Sequence, residues 1–286
     1  MNIITGEKFQ QICNHNLSTE LMIKFEYHSE KYINVREFDF VNFDNREMVF
    51  INNNLFHLLS LQRINKKSEL KEVNMFEILS QFKNPFNLIL HNNDSPFTDD
   101  DLIYFDIPNC KKIYTQNTMT YDKRVIPIPI GIANSCWKWG DLSVWENVKI
   151  KDKRNNFVYF NFQVEGGCRD QKRPDCYESI SSQGIEWLEM IPYNDYIENL
   201  STYEFSVCPE GNGIDTHRLW ESLYLKVIPI VDKNPMTEHF SKWFPMVLVD
   251  DWKTFDVNDV KGTYNDYNWE NYYLLDFDKF CKKVGL

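Results

Sequence analysis

Phe205-Ser206-Val207-Cys208-Pro209-Glu210-Gly211-Asn212-Gly213-Ile214-Asp215-Thr216-His217-Arg218-Leu219-Trp220-Glu221 is an apolar segment, a glycine turn and a charged helix start in immediate succession. The apolar segment reads as a buried strand. Asp215 and Thr216 are both good N-cap types, so a helix is expected to begin there. A second apolar run, Val227-Ile228-Pro229-Ile230-Val231, follows after about three helical turns. The product is a β-loop-α-β unit of an open parallel sheet, whose ligands sit beyond the carboxyl ends of the strands. A glycine turn leading into a helix N-terminus can hold a phosphate against backbone N–H groups, because the glycines permit positive φ and close approach.

The helix adds its own chemistry. Arg218 and Glu221 are three residues apart and His217 and Glu221 four apart, so the three share a face near the N-terminal end. Arg218 can neutralise a phosphate, and Glu221 can accept from a vicinal diol such as a ribose. The ordinary alternative is a surface Arg–Glu pair of small energetic value. The adjoining Gly-Asn-Gly turn shifts the balance toward a ligand site.

This stretch resembles the signature of exostosin-like glycosyltransferases, F-x-x-C-P-x-G-N-G-x-D-T-x-R-x-W-E followed by a strand containing I-P-I-V. The resemblance implies an α/β chain of GT-B type, two Rossmann-like domains facing across a cleft, with a sugar nucleotide held mainly on the C-terminal one. It implies a donor site of Gly211, Asn212, Gly213, Asp215, Thr216, His217, Arg218 and Glu221. Glu221 would take the ribose hydroxyls and Arg218 the diphosphate. An arginine just after the first strand of that domain contacts donor phosphates in the family. Arg173, in the basic cluster Cys168–Arg173, fits that place best, with Arg169 in reserve.

The resemblance extends back to about Ile89. The apolar run Phe86–Leu90 ends in His91-Asn92-Asn93-Asp94, and Lys112–Tyr114 ends in Thr115-Gln116-Asn117. Polar residues at strand ends are either site residues or plain Asn- and Asp-rich turns. The family pattern H-N-x-D, Q-N and P-I-G-I-A-N with a following Trp (here Trp137) makes His91, Asn92, Asp94, Gln116 and Asn117 acceptor-side candidates. Inverting transfer then implies a base, His91 or Asp94, with Asp215 as competitor unless it caps its helix. Arg218 would stabilise the departing diphosphate. No D-x-D motif stands at a strand end, and no metal or other cofactor is expected. The donor expected is a UDP-sugar and the acceptor a glycan or other hydroxyl. The alternatives are a catalytically inactive sugar-nucleotide or glycan-binding module, and a fucosyltransferase-like enzyme using a GDP-sugar.

At 286 residues the length suits about two domains. They are expected at 1–145 and 155–265, joined by a linker around Asp141–Arg154. An aromatic, helical tail, 266–286, is expected to pack back on the first. Strands are expected at Phe38–Val41, Met48–Ile51, Phe86–Leu90, Lys112–Asn117, around Val125–Ile130, at Phe157–Phe162 and at Met246–Val249. Short helices are expected at Leu55–Leu61, Phe76–Phe82 and Tyr193–Leu200. The net charge of −11 and the lack of a basic run argue against nucleic acid as partner. Asp99–Asp101 reads as a helix start rather than a metal site. Seven cysteines without a C-x-x-C pair imply free thiols and a reducing, cytoplasmic-type compartment. No signal-peptide pattern and no membrane span are apparent.

Overall fold

The computed structural model describes residues 2–18, 32–34, 47–52, 79–80, 82–92, 94–165 and 172–286. The chain forms two compact units, one of residues 5–130 and one of residues 1–4 with 131–286.

In the unit 5–130 the strands are β1 (His15–Ser18), β2 (Tyr32–Asn34), β3 (Glu47–Asn52), β4 (Phe86–His91), β5 (Cys110–Thr115) and β6 (Val125–Pro127). They form one parallel sheet in the order β2-β1-β3-β4-β5-β6. The order reverses between β1 and β3, as in doubly wound sheets. Val49, Phe50 and Ile51 of β3 and Leu88, Ile89 and Leu90 of β4 are wholly buried. Such unbroken apolar runs suit a parallel sheet covered on both faces. The proline-containing run after Val125 supplies only a three-residue edge strand, the one place where Pro127 removes no needed donor. Asp99–Asp106 is a 3-10 helix opened by a Thr98–Asp101 capping box, in keeping with its acidic start. The segments Phe38–Val41, Leu55–Leu61 and most of Phe76–Phe82 lie outside the described residues.

The second unit holds β7 (Asn156–Tyr159), β8 (Tyr203–Cys208), β9 (Ile228–Asp232) and β10 (Val247–Val249), all parallel, in the order β10-β9-β8-β7. Helices Lys172–Ser182 and Tyr193–Leu200 join β7 to β8. His217–Tyr224 joins β8 to β9, and Pro235–Phe240 joins β9 to β10. Both sheets are compatible with Rossmann-like folds. The signature helix is two turns long rather than three. It ends because Lys226 takes a left-handed φ of 55°. Lys226 N–H then bonds Leu223 O at 3.0 Å and Val227 N–H bonds Ser222 O at 2.8 Å, a Schellman ending without glycine. Trp220, fully buried, anchors the helix edge-on to Phe240 and Phe244.

One boundary differs from expectation. The division falls at Ile130/Gly131, not in Asp141–Arg154. That segment belongs to the second unit, where Val144, Trp145 and Val148 pack on a core containing Tyr159, Ile197 and Leu200. Its last residue, Arg154, donates to Ser201 O, Leu225 O and Lys226 O at 2.7–2.8 Å, closing the carboxyl ends of two helices. The tail is part of the same unit and packs on its core. Tyr267 and Trp269 join the core around Phe205, and Tyr264 and Tyr272 donate to the carbonyls of Lys226 and Tyr224. Phe280 of the last helix, Phe277–Val284, meets Phe240 and Trp243. The tail also holds the start of the chain: Asn2 N–H reaches Asp276 and Phe277 N–H reaches Asn2 O.

Among the described residues Cys13, Cys110, Cys136, Cys176, Cys208 and Cys281 form no disulfide. Among the described residues no helix is long and apolar enough to cross a membrane.

Candidate functional site

The chain leaves β8 at Cys208 and turns through Pro209–Thr216. Two buried carboxylates brace this turn from the strand ends. Asp232, last residue of β9, accepts Glu210 N–H at 2.8 Å and Trp252 Nε1–H at 2.9 Å. Glu210 accepts from Asn234 Nδ2 at 3.1 Å. Lys172 Nζ lies 2.9 Å from Glu210 and 3.4 Å from Asp232. Burial works against the Lys172 charge, but these two carboxylates outweigh it and raise its pKa. The negative charge at the strand ends is therefore answered within the protein.

The glycines act differently from the expectation. Neither Gly211 nor Gly213 has positive φ. Gly211 N–H already bonds Gly213 O at 2.9 Å. Glycine at 211 makes room for Arg173: a Cβ there would lie 2.5 Å from its Nη2 and the guanidinium would have to shift. What approaches this backbone closely is a guanidinium. Arg173, in the first turn of Lys172–Ser182, is held by two carbonyls, Glu210 O at 3.0 Å and Gln163 O at 2.9 Å. Burial, and then the nearby charge of Arg218, lower its pKa. Arg169 lies outside the described residues.

Arg218 donates from Nε to Tyr196 OH at 3.3 Å and lies against the rings of Tyr159 and Tyr196. Among the described residues its two Nη nitrogens have no hydrogen-bond partner and neither arginine has a carboxylate within ion-pair distance. Glu221 does not touch Arg218 directly. It is 5% exposed, and its oxygens accept from Tyr193 OH at 3.1 Å and Tyr196 OH at 2.7 Å. Thr216 caps the helix with extended backbone but no side-chain bond. Asp215 is not the cap: its carboxylate, buried, accepts Trp220 Nε1–H at 2.8 Å. His217 Nδ1 is 2.7 Å from Gly131 O, tying the helix start to the first residue of the unit's main segment. Asn212 is the exposed member of the turn. Burial pushes the Cys208 thiol up to about 11, so it remains a protonated filler.

The strand ends of the other unit look different. His91 is 1% exposed, with Nδ1 3.0 Å from Asn92 Oδ1 and Nε2 3.1 Å from Pro129 O. A Cβ on Gly6 would collide with both His91 and Asn92, so a helix start is pressed against the pair. Gln116 and Asn117 are wholly buried. Asn92 and Asn117 take left-handed φ values of 61° and 54°, which asparagine tolerates better than other side chains. Of the acceptor-side set, Asp94 is exposed and Asn92 half-buried; His91, Gln116 and Asn117 are framework. A base must reach a substrate hydroxyl, and His91 is enclosed on both nitrogens.

The sequence reading missed Tyr193, Tyr196, Lys172 and Asp232. The first two lie three apart on a helix and so share a face, a signal that was present. Compared with models of known protein families and with curated proteins, the chain matches none.

Proposed function

We propose that the turn Pro209–Thr216, with Arg173 and Arg218, binds the diphosphate of an activated sugar, and that the chain is a glycosyltransferase. One observation carries this reading: Arg173 lies against the backbone of the turn at Gly211, Arg218 stands in the first turn of the helix that follows, close enough for its charge to act on Arg173, and neither has a carboxylate within ion-pair distance among the described residues. Like charges held together by carbonyls and a phenol favour an anion between them, and arginine suits phosphate oxygens. The exostosin-like signature supports a nucleoside diphosphate-sugar, UDP-linked by preference, and a GT-B plan with the donor on the unit 131–286.

In an inverting transfer the acceptor hydroxyl attacks the anomeric carbon. The bond to the diphosphate oxygen breaks, and the nucleoside diphosphate leaves with the bonding pair. Arg173 and Arg218 stabilise that growing charge. The hydroxyl proton passes to a base, for which Asp94 is the exposed carboxylate of the acceptor-side set. The enclosure of His91 favours the second reading, a binding module without turnover, more than sequence alone does.

Calorimetry and thermal shift with UDP, GDP and their sugars test the reading, since ligands of the native state raise Tm. Binding of a nucleoside diphosphate supports it, and no response to any of them removes it. Release of nucleoside diphosphate from a bound donor, followed with and without EDTA, separates enzyme from module and tests the metal-free expectation.

A further inference from the structure

We infer that Glu221 and Tyr196 are positioning residues for Arg218 rather than contacts for the nucleoside; the inference rests on the diphosphate reading above. The side chains form a relay. Tyr196 OH donates to Glu221 Oε2 at 2.7 Å, which directs a phenol lone pair toward Arg218 Nε at 3.3 Å. Tyr193 OH holds the other carboxylate oxygen at 3.1 Å, so Glu221 cannot rotate without giving up a bond. Its 5% exposure leaves little room for a ribose diol to reach it.

The arrangement has a chemical purpose that a direct ion pair would defeat. A bidentate Arg–Glu pair occupies the guanidinium edge and cancels its charge. Here the carboxylate sits one hydroxyl away. It offsets the cost of burying the guanidinium and, among the described residues, leaves both Nη nitrogens without a protein acceptor, to serve an incoming anion. The rings of Tyr159 and Tyr196, with centroids 5.8 and 5.5 Å from Arg218 Cζ, restrict where the guanidinium can move. An ordered donor loses less entropy when the ligand binds.

The test compares two ligands on three proteins. Calorimetric Kd values for UDP and for inorganic pyrophosphate are measured on the wild type, Tyr196→Phe and Glu221→Gln. Pyrophosphate has the charge but no ribose. Positioning predicts that both variants weaken both ligands by the same factor, about tenfold or more. The ratio of the two Kd values then stays at its wild-type value. A loss confined to UDP would assign Glu221 to the ribose and overturn the inference while keeping the diphosphate site. Unchanged Kd values for both ligands would overturn it as well. A wild type that binds neither ligand overturns the diphosphate reading, and the inference with it. Tyr196→Phe keeps shape and volume, so it answers the question even where Glu221→Gln fails to fold.

Discussion

The carboxyl end of β8 and the carboxyl ends of β4 and β5 look alike on paper: an apolar run, then Asn, Gly, His or Asp. In three dimensions they are opposites. Beyond β8, every carboxylate is answered by lysine, tryptophan, asparagine or tyrosine, and the arginines keep charge in hand. Beyond β4 and β5, His91, Gln116 and Asn117 are buried as frame. Polar residues at a strand end are thus of two kinds, and what separates them is whether they are enclosed in the protein or left where a ligand can reach them.

That contrast can be broken most directly at Arg218. Arg218→Ala should weaken UDP binding by roughly 10- to 150-fold, the worth of about 1.5–3 kcal/mol for a charged hydrogen bond, with little change in Tm. Calorimetry showing wild-type affinity would remove the distinction. His91→Ala should do the reverse. Losing a buried imidazole with two partners costs about 1–3 kcal/mol in urea denaturation, because Pro129 O is left without its donor. A His91→Ala protein of unchanged stability that has lost transfer would return His91 to the catalytic set.

Gly211→Ala sharpens the comparison further. The new methyl displaces the end of the Arg173 side chain, which can move, so the fold survives while UDP affinity falls by about tenfold. Equal affinity would show that Arg173 is not a ligand. The smallest effect concerns pH. His239 is half-buried against Phe240 and Trp243, and burial, then the charge of Lys242, lower its pKa from 6.5 to about 4. Its folded form is therefore neutral. Its stabilising share is complete above the unfolded pKa and declines as pH drops from 6.5 toward 4. His239→Phe should flatten the Tm profile across that window, and an unchanged slope would assign it to other groups.

Much of this was legible in sequence, for stated reasons. Strands β3, β4, β5, β8 and β9 announce themselves because buried parallel strands are continuous in apolar residues. The turn after β8 is visible because Gly-Asn-Gly interrupts such a run. The use of Gly211 was not, since the group that needs its space, Arg173, is distant in sequence. The Tyr196–Glu221 bond spans two helices, and local periodicity carries no record of which helix faces meet. The linker was misplaced because Arg154 reads as an exposed charge, and its carbonyl partners lie 47 to 72 residues further on.

The stitch between Asn2–Ile4 and the end of the chain has a consequence for assembly. Ile4 N–H bonds Tyr224 OH, Tyr224 OH bonds Leu275 O, and Asn2 bonds Asp276, a separation of 274 residues. During synthesis residues 2–4 must wait for Tyr224 and residues 275–277 before their native place exists. The second unit is closed by a contact of extreme sequence distance, the kind that slows folding. A fragment beginning at Gly131 would leave the Tyr224 hydroxyl at the foot of the signature helix without its donor from the chain's start.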